Sequence, residues 1–167
     1  MLNTTRKMET LVNVAIIVVA LMVCAVLAKQ YLLKGSAAGS AHGPSVGSKV
    51  ELAGVDLSKE DRTLLLVLQK GCHFCKESGP FYQRLAREVA ERGSRVKLLA
   101  VLPQDEDEGR RYLSDLGVPV ERVAQASPGS LGVTGTPTLI MLDRGTVSDV
   151  WVGALSPERE AEVLSKL

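Results

Sequence analysis

The sequence has few aromatic residues and no excess of charge, and both shortages exclude classes of function. Aromatic side chains make up 4% of the 167 residues, and 20 basic residues against 19 acidic ones leave a net charge of +1. Sites for single-stranded nucleic acid combine a basic groove with stacked aromatic residues, and the sequence offers neither. We therefore exclude nucleic acid as a partner and expect no polyanionic ligand.

Cysteine is scarce as well, with Cys24, Cys72 and Cys75 as the three copies. Three cysteines do not make a structural disulfide framework. Cys24 lies in an apolar run, where a small residue of a hydrophobic helix is the simpler interpretation. A lipid-attachment cysteine is the alternative, but the bulky residues Leu21–Val23 precede it. Cys72 and Cys75 form a C-x-x-C pair.

One long hydrophobic run predicts a membrane anchor. As a helix, residues 11–28 span about 27 Å, close to the roughly 30 Å hydrocarbon core of a bilayer. We predict a short leader at 1–10 and a transmembrane anchor at 11–33, with the rest of the chain outside the cytoplasm. A signal peptide cleaved after Ala28 is the alternative, although signal h-regions usually run about 7–15 residues. A buried core helix is the third interpretation.

Residues 34–49 are rich in glycine, serine and alanine, a composition typical of a flexible tether. His42, within this tether, is predicted to be solvated. From residue 50 to 167, buried-strand and helix patterns alternate, which predicts one α/β domain with a mixed sheet. The predicted strands are 63–68, 96–102, 122–126, 138–142 and 147–152, and the predicted helices are 72–92, 105–116 and a last one that begins after Ser156.

The acidic cluster Asp105–Glu108 has two interpretations. It could form a metal site, but acidic residues also favour the first turn of a helix, where they interact with the helix dipole. The second interpretation is preferred here.

Asp143–Gly145, between two predicted strands, indicates a hairpin turn.

The C-x-x-C pair follows a buried strand and begins a helix, and this context favours redox chemistry. A helix N-terminus has unpaired backbone N–H groups and the positive end of the dipole, which stabilise a thiolate. We therefore predict Cys72 as the nucleophile and Cys75, one turn further in, as the resolving cysteine. Haem attachment would need histidine where Lys76 stands, and a structural zinc site would need four ligands. A non-enzymatic copper(I) or redox adaptor, using the same two thiolates, is the remaining alternative.

The domain resembles thioredoxin over residues 49–167. Pro80 stands where that family has the proline that kinks its active-site helix, Gly132–Thr138 resembles the segment with the cis-proline, and Trp151–Ser156 resembles the last strand–helix junction. The resemblance implies a thioredoxin fold in which Pro137 faces the cysteine pair and Thr136 offers backbone groups to the substrate. An ordinary trans-proline turn is the alternative interpretation of Pro137.

The anchor and tether make the chain similar to the membrane-tethered TlpA/ResA-like branch. This similarity implies thiol–disulfide exchange with protein substrates outside the cytoplasm, together with a membrane or periplasmic redox partner. The redox-active disulfide then serves in place of any metal or organic cofactor, and we expect a monomer. The direction of electron flow and the client do not follow from the sequence.

Three departures from thioredoxin, and one from peroxiredoxin-like peroxidases, bear on the chemistry. Gly71 replaces a tryptophan, and His73-Phe74 replaces Gly-Pro between the cysteines. Residues 64–68 are apolar and lack the family's buried acid, so the proton acceptor for Cys75 is open. Gln69 replaces the threonine that a peroxiredoxin-like peroxidase needs.

His73 is predicted to stabilise the Cys72 thiolate while the histidine is protonated, with a solvated surface histidine as the alternative.

Overall fold

A five-stranded sheet forms the centre of the domain in a computed structural model, which describes residues 22, 43–92 and 96–167. The strands are β1 (Arg62–Val67), β2 (Lys97–Leu102), β3 (Arg122–Gln125), β4 (Thr138–Asp143) and β5 (Thr146–Val152). Their order is β3-β2-β1-β4-β5. β2 pairs in parallel with β1 and β3, and β4 pairs antiparallel with β1 and β5. The mixed α/β sheet predicted from the sequence is confirmed.

The apolar run at β1 places the middle of the sheet in the core. Leu64–Val67 have no exposed surface, as expected for a strand that is covered on both faces. Because side chains alternate along a strand, Leu64 and Leu66 pack into one hydrophobic cluster and Leu65 and Val67 into another. The first cluster includes helical residues, and the second includes residues of the segments before β1 and before β4. β1 therefore fixes the position from which the next residues, those of the cysteine pair, leave the sheet.

Within residues 43–92 and 96–167, four α-helices accompany the sheet: α1 (His73–Glu77), α2 (Gly79–Glu91), α3 (Glu106–Asp115) and α4 (Pro157–Ser165). The single helix predicted over 72–92 is thus wrong, because the structure divides it at Ser78. The Ser78 N–H still bonds to the Phe74 carbonyl at 3.1 Å, but Pro80 has no N–H and fits only the first turn of a helix. A new helix therefore starts at Gly79.

The acidic cluster forms the start of α3, as the preferred interpretation predicted. The Asp105 side chain accepts a hydrogen bond from the Glu108 N–H at 2.8 Å and caps the helix. Glu106–Glu108 occupy the first turn, where the helix dipole favours negative charge. Glu108 also forms an ion pair with Lys70, two residues before Cys72.

The last part of the predicted tether packs against the domain. Gly47 and Ser48 exchange backbone hydrogen bonds with Val147 of β5, each 2.8 Å long, and Lys49 forms a bridge with Thr146. No sequence pattern indicated this pairing, because backbone hydrogen bonds to an edge strand need no apolar residues. Residues 47–49, which the composition assigns to the tether, are therefore part of the domain.

In the described part of the chain, no helix is long and apolar enough to cross a membrane. The anchor predicted at 11–33 lies outside the described residues, apart from Met22. The leader at 1–10, Cys24 and His42 also lie outside them.

Candidate active site

The cysteine pair lies at the N-terminus of α1, directly after the turn that follows β1. Cys72 is the N-cap of α1, and its Sγ accepts a hydrogen bond from the Cys75 N–H at 3.1 Å. The two Cα atoms are 5.2 Å apart, and the structure joins the sulfurs in a disulfide. Unpaired N–H groups at this end of the helix can stabilise negative charge on Cys72 when the disulfide is reduced.

The two sulfurs differ in access to solvent. Cys72 is partly exposed, whereas Cys75 is 0% exposed within the cluster that also contains Leu66 and Tyr82. An incoming sulfur can therefore approach Cys72 but not Cys75. This difference supports the roles predicted for the two residues, nucleophile and resolving cysteine.

The segment before β4 brings Thr136 and Pro137 next to the pair. The Thr136–Pro137 peptide bond is cis, and the Thr136 carbonyl oxygen lies 3.3 Å from the Cys72 Sγ, 64 residues away along the chain. Two further bonds hold this segment: the Gly153 N–H donates to the Pro137 carbonyl at 2.7 Å, and Thr138 Oγ1 donates to the Gly135 carbonyl at 2.8 Å. The structure thus places Thr136 beside Cys72, while the contact of Thr136 with a substrate stays a prediction.

His73 points away from the core beside the pair. Its side chain is 76% exposed, and Nε2 lies 3.5 Å from Glu77 Oε1, one turn further along α1. The ring also makes an edge contact with Phe74, with 5.6 Å between the ring centroids. The structure thus places His73 at the helix end that holds Cys72, while its role in stabilising the thiolate stays a prediction.

We expect His73→Ala to shift the reduction potential of the pair toward the reducing side by at most roughly 30 mV. A positive charge near Cys72 stabilises the thiolate, hence the reduced form, and so raises the potential. Solvent screening keeps the effect of an exposed charge small. Equilibration with glutathione buffers measures the potential of the variant and of the wild-type chain. His73→Gln is the matched neutral control, and a potential that neither variant changes would assign His73 to the solvated surface.

Neutral groups surround Cys75 on the buried side. Burial raises the pKa of Tyr82 well above its ordinary value, although a hydrogen bond with the Ser78 side chain partly offsets this. Burial also raises the pKa of Tyr112, which packs against the same cluster. Among the described residues, the buried polar or charged ones are Thr63 and Thr138, so that part of the chain buries no carboxylate. This agrees with the missing acid noted in residues 64–68.

Sequence reasoning missed two residues of this site, Thr138 and Phe74. The sequence analysis gave Thr138 no role beyond the end of the cis-proline segment and the start of a strand, yet its buried hydroxyl donates to the Gly135 carbonyl, just before Thr136 and Pro137. Its position directly after a cis-proline candidate was the available signal. Phe74 was noted only as a departure from thioredoxin, whereas the structure exposes 55% of it.

Within residues 22, 43–92 and 96–167, no group of three or more histidine, cysteine, aspartate or glutamate side chains could hold a metal ion. The Cys72 and Cys75 sulfurs, which lie beside Thr136, can form and break disulfides. An accessible sulfur at a helix N-terminus, with a second sulfur in bonding reach, supplies both steps of a two-electron exchange.

Comparison with known proteins agrees with this geometry. No protein-family model matches the chain, and no curated protein matches its sequence. Solved structures do match it. A protein from Chlorobium tepidum that is assigned as the thiol:disulfide interchange protein DsbE is 25% identical, with a TM-score of 0.56, and the match covers 73% of this chain and 94% of that one.

Two further structures share the fold. StoA from Bacillus subtilis is 19% identical with a TM-score of 0.51, over 71% of this chain and 98% of StoA. The exposed lipoprotein thioredoxin Etrx1 from Streptococcus pneumoniae is 22% identical with a TM-score of 0.50, over 72% of this chain and 100% of that one. With its C-x-x-C disulfide at a helix start and its cis-proline beside it, the chain has a thioredoxin-like fold and is similar to thiol–disulfide oxidoreductases of known structure.

Proposed function

We propose that this oxidoreductase exchanges disulfides with protein substrates outside the cytoplasm, while residues 11–33 hold it in the inner membrane. One observation supports the catalytic part above all others. The accessible Cys72 is bonded to the fully buried Cys75, and the Thr136 carbonyl lies 3.3 Å from the Cys72 sulfur. The membrane part is supported by the length of the hydrophobic run.

Starting from the reduced enzyme, the Cys72 thiolate attacks one sulfur of a client disulfide. The client's other sulfur leaves as a thiolate and takes a proton, and a mixed disulfide joins Cys72 to the client. Cys75 then loses its proton and attacks the Cys72 sulfur, which releases the client's second thiolate. The client gains two electrons and two protons, and the enzyme ends with the Cys72–Cys75 disulfide. The same steps in reverse oxidise a client.

Thr136 can orient the client. Its carbonyl adjoins the Cys72 sulfur, and the next residue, Pro137, is buried. An extended client segment that forms backbone hydrogen bonds with Thr136 would carry its own cysteine to Cys72. Turnover also requires a second redox protein, in the membrane or the periplasm, that resets the cysteine pair after each exchange.

A reductase assay tests the catalytic part of this proposal. The purified full chain should accelerate the reduction of insulin disulfides by dithiothreitol. The same protein with both cysteines of the reduced pair alkylated is the matched control and should give the uncatalysed rate. Equal rates with the native and the alkylated protein would contradict the proposal.

We expect the chain to remain in the membrane fraction with its C-terminus outside the cytoplasm, because residues 11–33 are long enough to span the bilayer. Alkaline phosphatase, which is active only outside the cytoplasm, should be active when it is fused after Leu167. Replacing two apolar residues of the run, Val18 and Val19, by arginine should abolish this activity, because charge at the centre of a span opposes insertion. A soluble mature protein that begins near Lys29 would instead show that the segment is a cleaved signal.

A further inference from the structure

Phe74 is a large apolar side chain that the structure leaves in solvent. It is 55% exposed, whereas the other phenylalanine of the chain, Phe81, is 3% exposed in the core. Phe74 belongs to neither hydrophobic cluster, and its ring makes an edge contact with His73, whose side chain is also exposed. Folding therefore gains little from this ring.

The helix does not require an aromatic residue at this position either. Phe74 contributes its backbone carbonyl, which accepts the Ser78 N–H at 3.1 Å, and any residue could do the same. Lysine, glutamine and glutamate are better helix formers than phenylalanine and carry no solvation cost at an exposed site. An apolar ring that neither the core nor the helix needs points to contact with another molecule.

The position of Phe74 relates it to the reactive sulfur. It follows Cys72 by two residues, so their Cα atoms are at most about 7.6 Å apart. On the other side of Cys72, Gly71 is exposed at φ +84°, and no atom lies within 4 Å of where its Cβ would be. A side chain at Gly71 would be strained at that φ, so an aromatic residue is disfavoured before the first cysteine. The apolar surface at this site is instead supplied from between the cysteines.

We propose that Phe74 is a specificity-determining residue, which packs against an apolar side chain next to the reactive cysteine of the client. The inference rests on the proposed disulfide exchange. A client cysteine in contact with Cys72 must place its neighbouring side chains beside α1, where Phe74 presents its ring. Clients with leucine or another large apolar residue beside the cysteine then bury that ring, and clients with serine there do not.

The test compares two disulfide-linked peptides that differ only at the residues flanking cysteine, leucine in one and serine in the other. The wild-type chain should reduce the leucine peptide with about fivefold higher kcat/KM, as expected for partial burial of a phenylalanine ring. Phe74→Ala should remove this preference, and Phe74→Leu should retain part of it. The ratio between peptides is the readout, because any change in reduction potential affects both peptides alike.

Val46→Ala is the matched control, because Val46 is also an exposed apolar residue (69%) but does not belong to the C-x-x-C segment. It should leave the ratio unchanged. A wild-type ratio near one, or a Phe74→Ala variant that keeps the wild-type ratio, would overturn the proposal. Hydroxyethyl disulfide, a small substrate without flanking side chains, serves as a second substrate. If the wild-type chain reduces it but shows no preference between the peptides, the role of Phe74 is wrong. If the wild-type chain does not reduce it, the proposed disulfide exchange itself is wrong.

Discussion

Cys72→Ser should reduce disulfide exchange to the uncatalysed rate, and Cys75→Ser should accumulate a covalent adduct with the client. The reason is the difference in access between the two sulfurs. Cys72 is partly exposed and can attack, whereas Cys75 is fully buried and can only resolve the bond formed at Cys72. Without Cys75 the mixed disulfide has no internal nucleophile to break it, so it persists.

Non-reducing gels and mass spectrometry measure this result. The adduct of Cys75→Ser should be joined through Cys72 and should disappear on addition of dithiothreitol. Cys24→Ser is the matched control, because Cys24 is assigned no part in exchange, and this variant should keep the wild-type rate. If both single variants at the pair still reduced insulin, the assignment of the reactive cysteines would be wrong.

Trp151→Ala should lower the free energy of unfolding by about 3–5 kcal/mol, the range for truncation of a large buried aromatic residue. Trp151 is 2% exposed and lies opposite Leu139 of β4 in the sheet. Its Nε1 donates to Glu162 Oε1 at 3.2 Å, and the Lys166 ammonium lies 5.7 Å from the ring centroid. The substitution leaves a cavity between β5 and α4 and removes both polar contacts.

Circular dichroism in urea measures this loss, since Trp151 is the single tryptophan of the chain and its fluorescence disappears in the variant. Trp151→Phe fills most of the site but leaves Glu162 without its indole partner, so it should lose clearly less than the alanine variant. A loss below about 1 kcal/mol for Trp151→Ala would show that the domain does not depend on this packing.

The sequence predicted the elements whose signals are local. The continuous apolar run of β1 indicated a strand covered on both faces, and Leu64–Val67 are fully buried. The hairpin at Asp143–Gly145 is also present, with positive φ at Arg144 and Gly145. The pairing of Gly47 and Ser48 with β5 could not be predicted, because their backbone groups carry the contact and their composition is that of a linker.

The candidate site shows the same division. The reactive pair was evident from the spacing of Cys72 and Cys75 between a strand and a helix, since that chemistry depends on neighbours in the chain. The approach of Thr136 to Cys72 joins residues 64 positions apart, and only the resemblance to thioredoxin implied it. The exposure of Phe74 depends on how α1 packs on the sheet, so it could not be predicted from the sequence pattern.

The central claim is that Cys72 and Cys75 form a reversible redox pair, and equilibration with glutathione buffers of graded composition tests it most directly. The fraction of disulfide is measured by mass spectrometry after thiol alkylation. We predict a single two-electron transition between about −270 mV, the value of thioredoxin, and about −120 mV, that of a strongly oxidising relative. Two cysteines that become glutathionylated separately, without forming the Cys72–Cys75 disulfide anywhere in this range, would contradict the account.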